Sequence, residues 1–122
     1  MVVRGIRGAV TVEKDQPEII LAATRRLLQA IQQANPTFRP ADAASVLFTV
    51  TPDLTSAFPA EAARQLGWGE TPLMCAQEIP VPGALPHCIR VLIHWNCDLP
   101  PAAIRHVYLG EAVRLRPDLA VS

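Results

Sequence analysis

The sequence is almost without lysine: Lys14 stands alone among eleven basic residues, and the other ten are arginines. Arginine offers a planar fork that matches carboxylates in bidentate geometry, so the skew suits an anionic ligand, as it also suits a genome rich in arginine codons. Acidic residues balance the basic ones to a formal net charge of zero and no block of like charge occurs, which excludes a general nucleic-acid or membrane-surface binder. No apolar run approaches the ~18 residues of a membrane span. The amino terminus reaches Arg4 too soon for a signal peptide. Cys75, Cys88 and Cys97 form no CxxC pair, and His87, His94 and His106 complete no zinc pattern with them, so no metal is expected. Reduced thiols in a cytoplasmic protein are the expectation. Also missing are the GxSxG elbow, the phosphate-cradling GxxxxGK[ST] loop and a GxGxxG after a strand.

What is present fits one domain, 1–122, half of whose residues are apolar and able to build a core. A domain this small leaves much surface exposed, which makes oligomerisation a reasonable way to bury more of it. Prolines act as punctuation between short elements. A strand is expected at Val2–Arg7, in a segment running on to Val12. A helix follows, with Asp15 as cap, Pro17 in the first turn and Glu18 completing a capping-box pattern. Ile20, Thr24, Leu27, Ile31 and Ala34 recur at helical spacing and mark its buried stripe, which Asn35-Pro36 ends.

Ser45–Val50 reads as a buried strand, Pro59–Leu66 as a short helix stopped by Gly67, and Pro72–Cys75 as a short strand. His87–Trp95 is the clearest strand: Ile89, Val91, Ile93 and Trp95 face one way, and Cys88, Arg90, Leu92 and His94 the other. His106–Leu109 is expected to be a last strand, before a tail carrying Arg114 and Arg116. The result is an α/β (α+β) domain with a mixed β-sheet, one long helix and one short helix.

Among residues that can carry chemistry, Arg90 says most, because a guanidinium in mid-strand must meet a carboxylate, water or an anionic ligand. Arg7 lies between glycines that permit close approach of a ligand, and is equally a solvated strand-end charge. Glu78 reads as a loop carboxylate, Tyr108 as a core tyrosine with a satisfied hydroxyl, and Arg116 as a tail charge able to pair with Asp118. Cys75 reads as a small buried thiol rather than a nucleophile, since no activating group stands beside it in the sequence. These residues support a domain that binds a small anion and do not name a reaction.

Arg4-Gly-Ile-Arg7-Gly-Ala-Val-Thr-Val-Glu13, Thr51-Pro-Asp-Leu54 with Phe58-Pro-Ala60, and Cys75-Ala-Gln-Glu78 resemble segments of the monofunctional chorismate mutases. Cys88-Ile-Arg90-Val, Ile104-Arg-His-Val-Tyr108-Leu and Leu115-Arg-Pro-Asp-Leu119 continue the resemblance in order, over essentially the whole chain. It implies a homotrimeric pseudo-α/β barrel with active sites between subunits. Arg7, Glu78, Arg90, Tyr108, Leu115 and Arg116 would come largely from one side of each cleft. Phe58, Ala60, Arg64, Leu73, Met74 and Cys75 would come largely from the adjoining subunit.

The implied reaction is the pericyclic rearrangement of chorismate to prephenate on the way to phenylalanine and tyrosine. It needs no nucleophile, metal or cofactor. By resemblance, Arg90 would donate to the ether oxygen, Arg7 would hold a carboxylate, Glu78 would accept from the ring hydroxyl, and Tyr108 would help fix the side-chain carboxylate. Phe58, Leu73 and Leu115 would line the apolar walls. Glu61 departs from the pattern, standing where many relatives carry a lysine that could attract a dianion. Competing readings are a trimeric imine deaminase of the Rid type and a non-catalytic trimeric metabolite sensor.

Overall fold

A computed structural model describes residues 2–116. Five strands form one mixed sheet in the order β3-β2-β4-β1-β5: β1 (Val3–Thr11), β2 (Ala43–Val50), β3 (Leu73–Gln77), β4 (Cys88–Asn96) and β5 (Val107–Leu109). The central strand β4 runs antiparallel to both neighbours, while β3 lies parallel to β2 and β5 parallel to β1. The parallel pairs need crossovers, and the longer helix-bearing connections supply them. The expected strand pattern holds throughout, with β1 reaching Thr11 and β3 extending to Gln77.

Helix α1 (Pro17–Ala34) and the short α2 (Pro59–Gln65) cover one face of this sheet. Ile20, Thr24, Leu27 and Ile31 are buried as the spacing required, and Ala34 is partly so. They meet Ile89, Val91, Ile93 and Trp95, the β4 face read from alternation, with Val46 and Phe48 of β2. Phe38 packs at a tilt on Trp68 and edge-on to Trp95, with ring centroids 5.7 and 5.4 Å apart, closing one end of this core. Proline begins both helices, where its missing N–H costs nothing, and Gly67, with φ of 90°, ends α2.

The expected cap of α1 is corrected. Gln16 occupies the cap position and makes no side-chain capping bond, so neither Asp15 nor Glu18 forms the capping box. The Asp15 carboxylate instead accepts from the Thr55 and Ser56 amides, at 3.0 and 3.1 Å, and from the Thr55 hydroxyl. Hydrogen bonding to Ser56 leads the causes that hold its pKa below the ordinary value. A long-range loop tether has won over a local cap.

The opposite sheet face is covered only in part. A 3-10 segment over Gly110–Leu115 lays Ala112 against Ala9, Cys88 and Tyr108, with Val113 and Leu115 at its edge. Elsewhere on this face Leu47 and Leu92 are half-buried and Met74 is exposed.

Gly8 sets the spacing between α1 and the sheet. A Cβ there would lie 2.9 Å from Ile31 Cδ1 and 3.2 Å from both Leu27 Cδ1 and the Val107 carbonyl. The Gly8→Ala variant is therefore expected to lose about 1–3 kcal/mol to overpacking, read as a lower urea midpoint at unchanged m-value.

Candidate active site

Arg90 occupies the middle of β4, paired with Ala9 of β1 on one side and Thr49 of β2 on the other. Ala9 pairs in turn with Tyr108, and Thr49 with Ala76. One row thus crosses the whole sheet on the face away from the helices: Tyr108, Ala9, Arg90, Thr49, Ala76. Because residues in register point the same way, the small Ala9 leaves space between the phenol and the guanidinium. Arg7 and Leu92 form the neighbouring pair on the same face, continued by Leu47.

Glu78 directly follows β3, and its N–H donates to the Val50 carbonyl at 2.8 Å. Its carboxylate accepts from the Thr49 hydroxyl at 2.6 Å. Arg90 Nε lies 3.7 Å from the same carboxylate oxygen, close enough for attraction and too far for a hydrogen bond. Arg90 Nε and the Tyr108 hydroxyl are both buried and have no hydrogen-bond partner among the described residues. Such a group left unsatisfied costs about 1–3 kcal/mol. Both residues line one cleft of about 280 Å³, together with Arg7, Leu47, Thr49, Glu78 and Leu92. Two cationic side chains and an orphaned phenol make a site for a compact anion, with one carboxylate placed to accept from a hydroxyl. A further cleft of about 410 Å³ shares Glu78 and Arg90 and runs along Ile79–Pro86.

The turn entering β4 is held from several sides. The Thr51 hydroxyl donates to Asp53 and accepts from the Cys88 N–H at 3.0 Å. Asp53 accepts from the His87 N–H at 3.0 Å, where φ is 51° and the backbone is left-handed. This turn fixes where β4 begins, and so where Arg90 stands two residues later. Burial pushes the Cys88 thiol pKa up, against the pull of nearby Arg90, so the thiol stays protonated.

A larger cavity, about 820 Å³, lies elsewhere, among Val12, Ile19, Arg26, His87 and Arg114. Neither orphaned donor borders it, so chemistry rather than size locates the site. Of the sequence-derived candidates, Arg7, Glu78, Arg90 and Tyr108 come together, and Leu115 packs on the cluster that holds Tyr108. Arg116 is half-buried at the end of the described residues; Asp118, its suggested partner, lies outside them.

The other group stands apart within one chain. Phe58 and Cys75 border a separate cleft of about 330 Å³. Cys75 is half-buried rather than buried, and Leu73 packs beside it against the main core. Ala60 is inside that core, Met74 is exposed, and Arg64 is exposed and paired with Glu61 at 2.9 Å. Reading the residues missed Thr49 and Leu47, which β2 alternation places with Ser45 on one face; only the strand register brings that face to Arg90 and Glu78.

The geometry has close counterparts. The family model described as chorismate mutase type I matches residues 3–119. The chain is 62% identical over 117 residues to the chorismate mutase AroH of Thermus thermophilus, covering 96% of each protein. It is 49% identical over 123 residues to the chorismate mutase AroH of Bacillus subtilis, covering 100% of this chain and 96% of that one. A solved chorismate mutase from Clostridium thermocellum has the same fold, with a TM-score of 0.86 at 48% identity, covering 88% of this chain and 96% of that one. With matches that span its length and its fold, the chain belongs to the type I chorismate mutases, isomerases of aromatic biosynthesis.

Proposed function

We propose that the chain, as a single domain, assembles into a cytoplasmic homotrimer and rearranges chorismate to prephenate at clefts between neighbouring subunits. The observation that carries this reading is the pair of buried donors without a hydrogen-bond partner among the described residues, Arg90 Nε and the Tyr108 hydroxyl, bordering one cleft with Arg7. Chorismate is a dianion, and such a cleft rewards carboxylates and a developing negative charge.

The reaction exchanges bonds within one molecule: the ether C–O bond breaks as a C–C bond forms, with no proton or electron taken from outside. The protein's task is to hold the compact conformer and to stabilise uneven charge in the transition state. Arg90 donates to the ether oxygen as negative charge develops there and also reaches a substrate carboxylate. Arg7 holds a carboxylate, and Tyr108 helps fix the side-chain carboxylate. Glu78, anchored by Thr49, accepts from the ring hydroxyl. Leu115 forms part of the apolar wall and Arg116 adds positive charge at the rim.

Phe58, Ala60, Arg64, Leu73, Met74 and Cys75 serve the adjoining subunit's cleft. Their separation from Arg90 within one chain supports this division, as does the exposure of Phe58 and Met74. Ala60, being buried, has only its main chain to offer, and Arg64 must leave Glu61 to reach a substrate. The incompletely covered sheet face, with Leu47, Leu92 and Met74, supports packing of sheet against sheet around the trimer axis.

Purified protein assayed continuously by ultraviolet absorbance with chorismate, with chromatography of the product, tests the activity, and sedimentation tests the trimer. Arg90→Ala is expected to cut turnover several hundred-fold in an intact trimer, within the ~10²–10³ cost of one oxyanion donor. Arg90→Lys should recover only part, since a point charge does not reproduce the fork. Near-normal turnover in a folded Arg90→Ala trimer would overturn the mechanism. Tyr108→Phe should leave the urea midpoint unchanged or slightly higher while raising KM, because the lost hydroxyl has no partner within the described chain. Cys75→Ser should change turnover only modestly; abolished activity would point to a covalent route.

A further inference from the structure

His106 lies immediately before β5, and its Nδ1 accepts the main-chain N–H of Arg7 at 2.9 Å. The parallel pairing of β1 with β5 begins one residue further on, at Gly8 and Val107. The imidazole thus supplies an acceptor just where the ladder of main-chain pairs has ended. This bond reaches the main chain of one cleft residue, and Tyr108 follows His106 by two positions.

The ring is itself held in place. Asn35, buried at the carboxyl end of α1, grips the preceding residue on both sides: its amide donates to the Arg105 carbonyl at 2.9 Å and its carbonyl accepts the Arg105 N–H at 3.0 Å. The same amide also donates to the Ile31 carbonyl. Hydrogen bonds thus tie the end of α1 to Arg105, and the next residue in the chain, His106, ties to the main chain of Arg7.

We propose that His106 is a positioning residue for the reaction, its neutral imidazole fixing the Arg7 main chain so that the Arg7 guanidinium meets the substrate carboxylate. This rests on the reading that Arg7 binds a carboxylate of chorismate. An imidazole accepts at Nδ1 only while that nitrogen carries no proton, so the bond demands the neutral ring with its hydrogen on Nε2. The charged groups that act on the ring are Arg7 of β1 and Arg116 beyond the Gly110–Leu115 segment, both cations. Burial first, and then these two arginines, hold the His106 pKa below its ordinary 6.5. The bond is therefore intact above pH 6.5 and is lost as pH falls through the lowered value. Free carboxylates titrate near 4, so the substrate keeps its charge over the upper part of that fall.

The test compares wild type, His106→Asn and His106→Leu in chorismate turnover against pH, alongside the Arg7 amide proton shift in NMR spectra. Asparagine offers an oxygen near the position of Nδ1 and does not titrate. Wild-type kcat/KM should be level above pH 6.5 and fall below it, through KM more than kcat. His106→Asn should keep neutral-pH activity within about threefold and lose this acid limb. His106→Leu should raise KM about tenfold at neutral pH. The Arg7 amide should follow the His106 titration in wild type and stay constant in His106→Asn. An acid limb that persists in His106→Asn, or an Arg7 amide indifferent to His106 titration, overturns the proposal. The amide readout needs no turnover, so it decides the His106–Arg7 link even if chorismate is not consumed, an outcome that would sink the functional reading instead.

Discussion

A guanidinium on the middle strand of a sheet, on the face its helices leave open, is the constraint around which the rest of this molecule is arranged. Arg90 cannot shed its charge and its Nε is buried, so the surroundings must either satisfy it or reserve it for a ligand. Glu78 stands 3.7 Å away and is bound by Thr49 instead, which attracts the cation without consuming its donor. Had the carboxylate closed on Arg90 in bidentate geometry, the site would be a finished salt bridge with little left for a substrate. Ala9 and the orphaned Tyr108 hydroxyl extend the same reserve across the sheet.

Keeping such an arrangement open requires rigidity elsewhere. Thr51 and Asp53 fix the left-handed turn at His87 and the first amide of β4, and through them the height of Arg90 in the sheet. Asn35 and His106 perform a comparable service at the other edge, linking the end of α1 to the Arg7 main chain. Gly8 lets α1 sit close enough to hold that edge down. The cleft thus stands on strands whose ends are tied by side-chain to main-chain bonds, a form of preorganisation suited to a reaction in which positioning and electrostatics supply the rate.

The two faces of the sheet are unequally covered. The helix-covered face is closed by a continuous core, whereas the opposite face keeps Leu47, Leu92 and Met74 short of cover. A sheet with an apolar outer face gains by packing on another. The solved relative from Clostridium thermocellum has this same subunit fold.

Much of this was legible in the order of residues. Alternation in His87–Trp95 announced both the strand, found at Cys88–Asn96, and the face of Arg90, and the spacing of Ile20, Thr24, Leu27 and Ile31 announced the stripe of α1. Those signals survive in one dimension because helix and strand periods are short and local. The Asp15 cap failed for the complementary reason: a good local acceptor was claimed by amides forty residues away in the chain. Likewise nothing near Thr49 shows that it holds Glu78, and nothing near His106 shows that it holds Arg7. The sequence by itself determined the elements, the buried faces and, through motifs spread over its length, the family. The tertiary structure alone decided which polar groups meet and which are left without partners, because strand register and loop closure join residues whose separation along the chain carries no periodic trace.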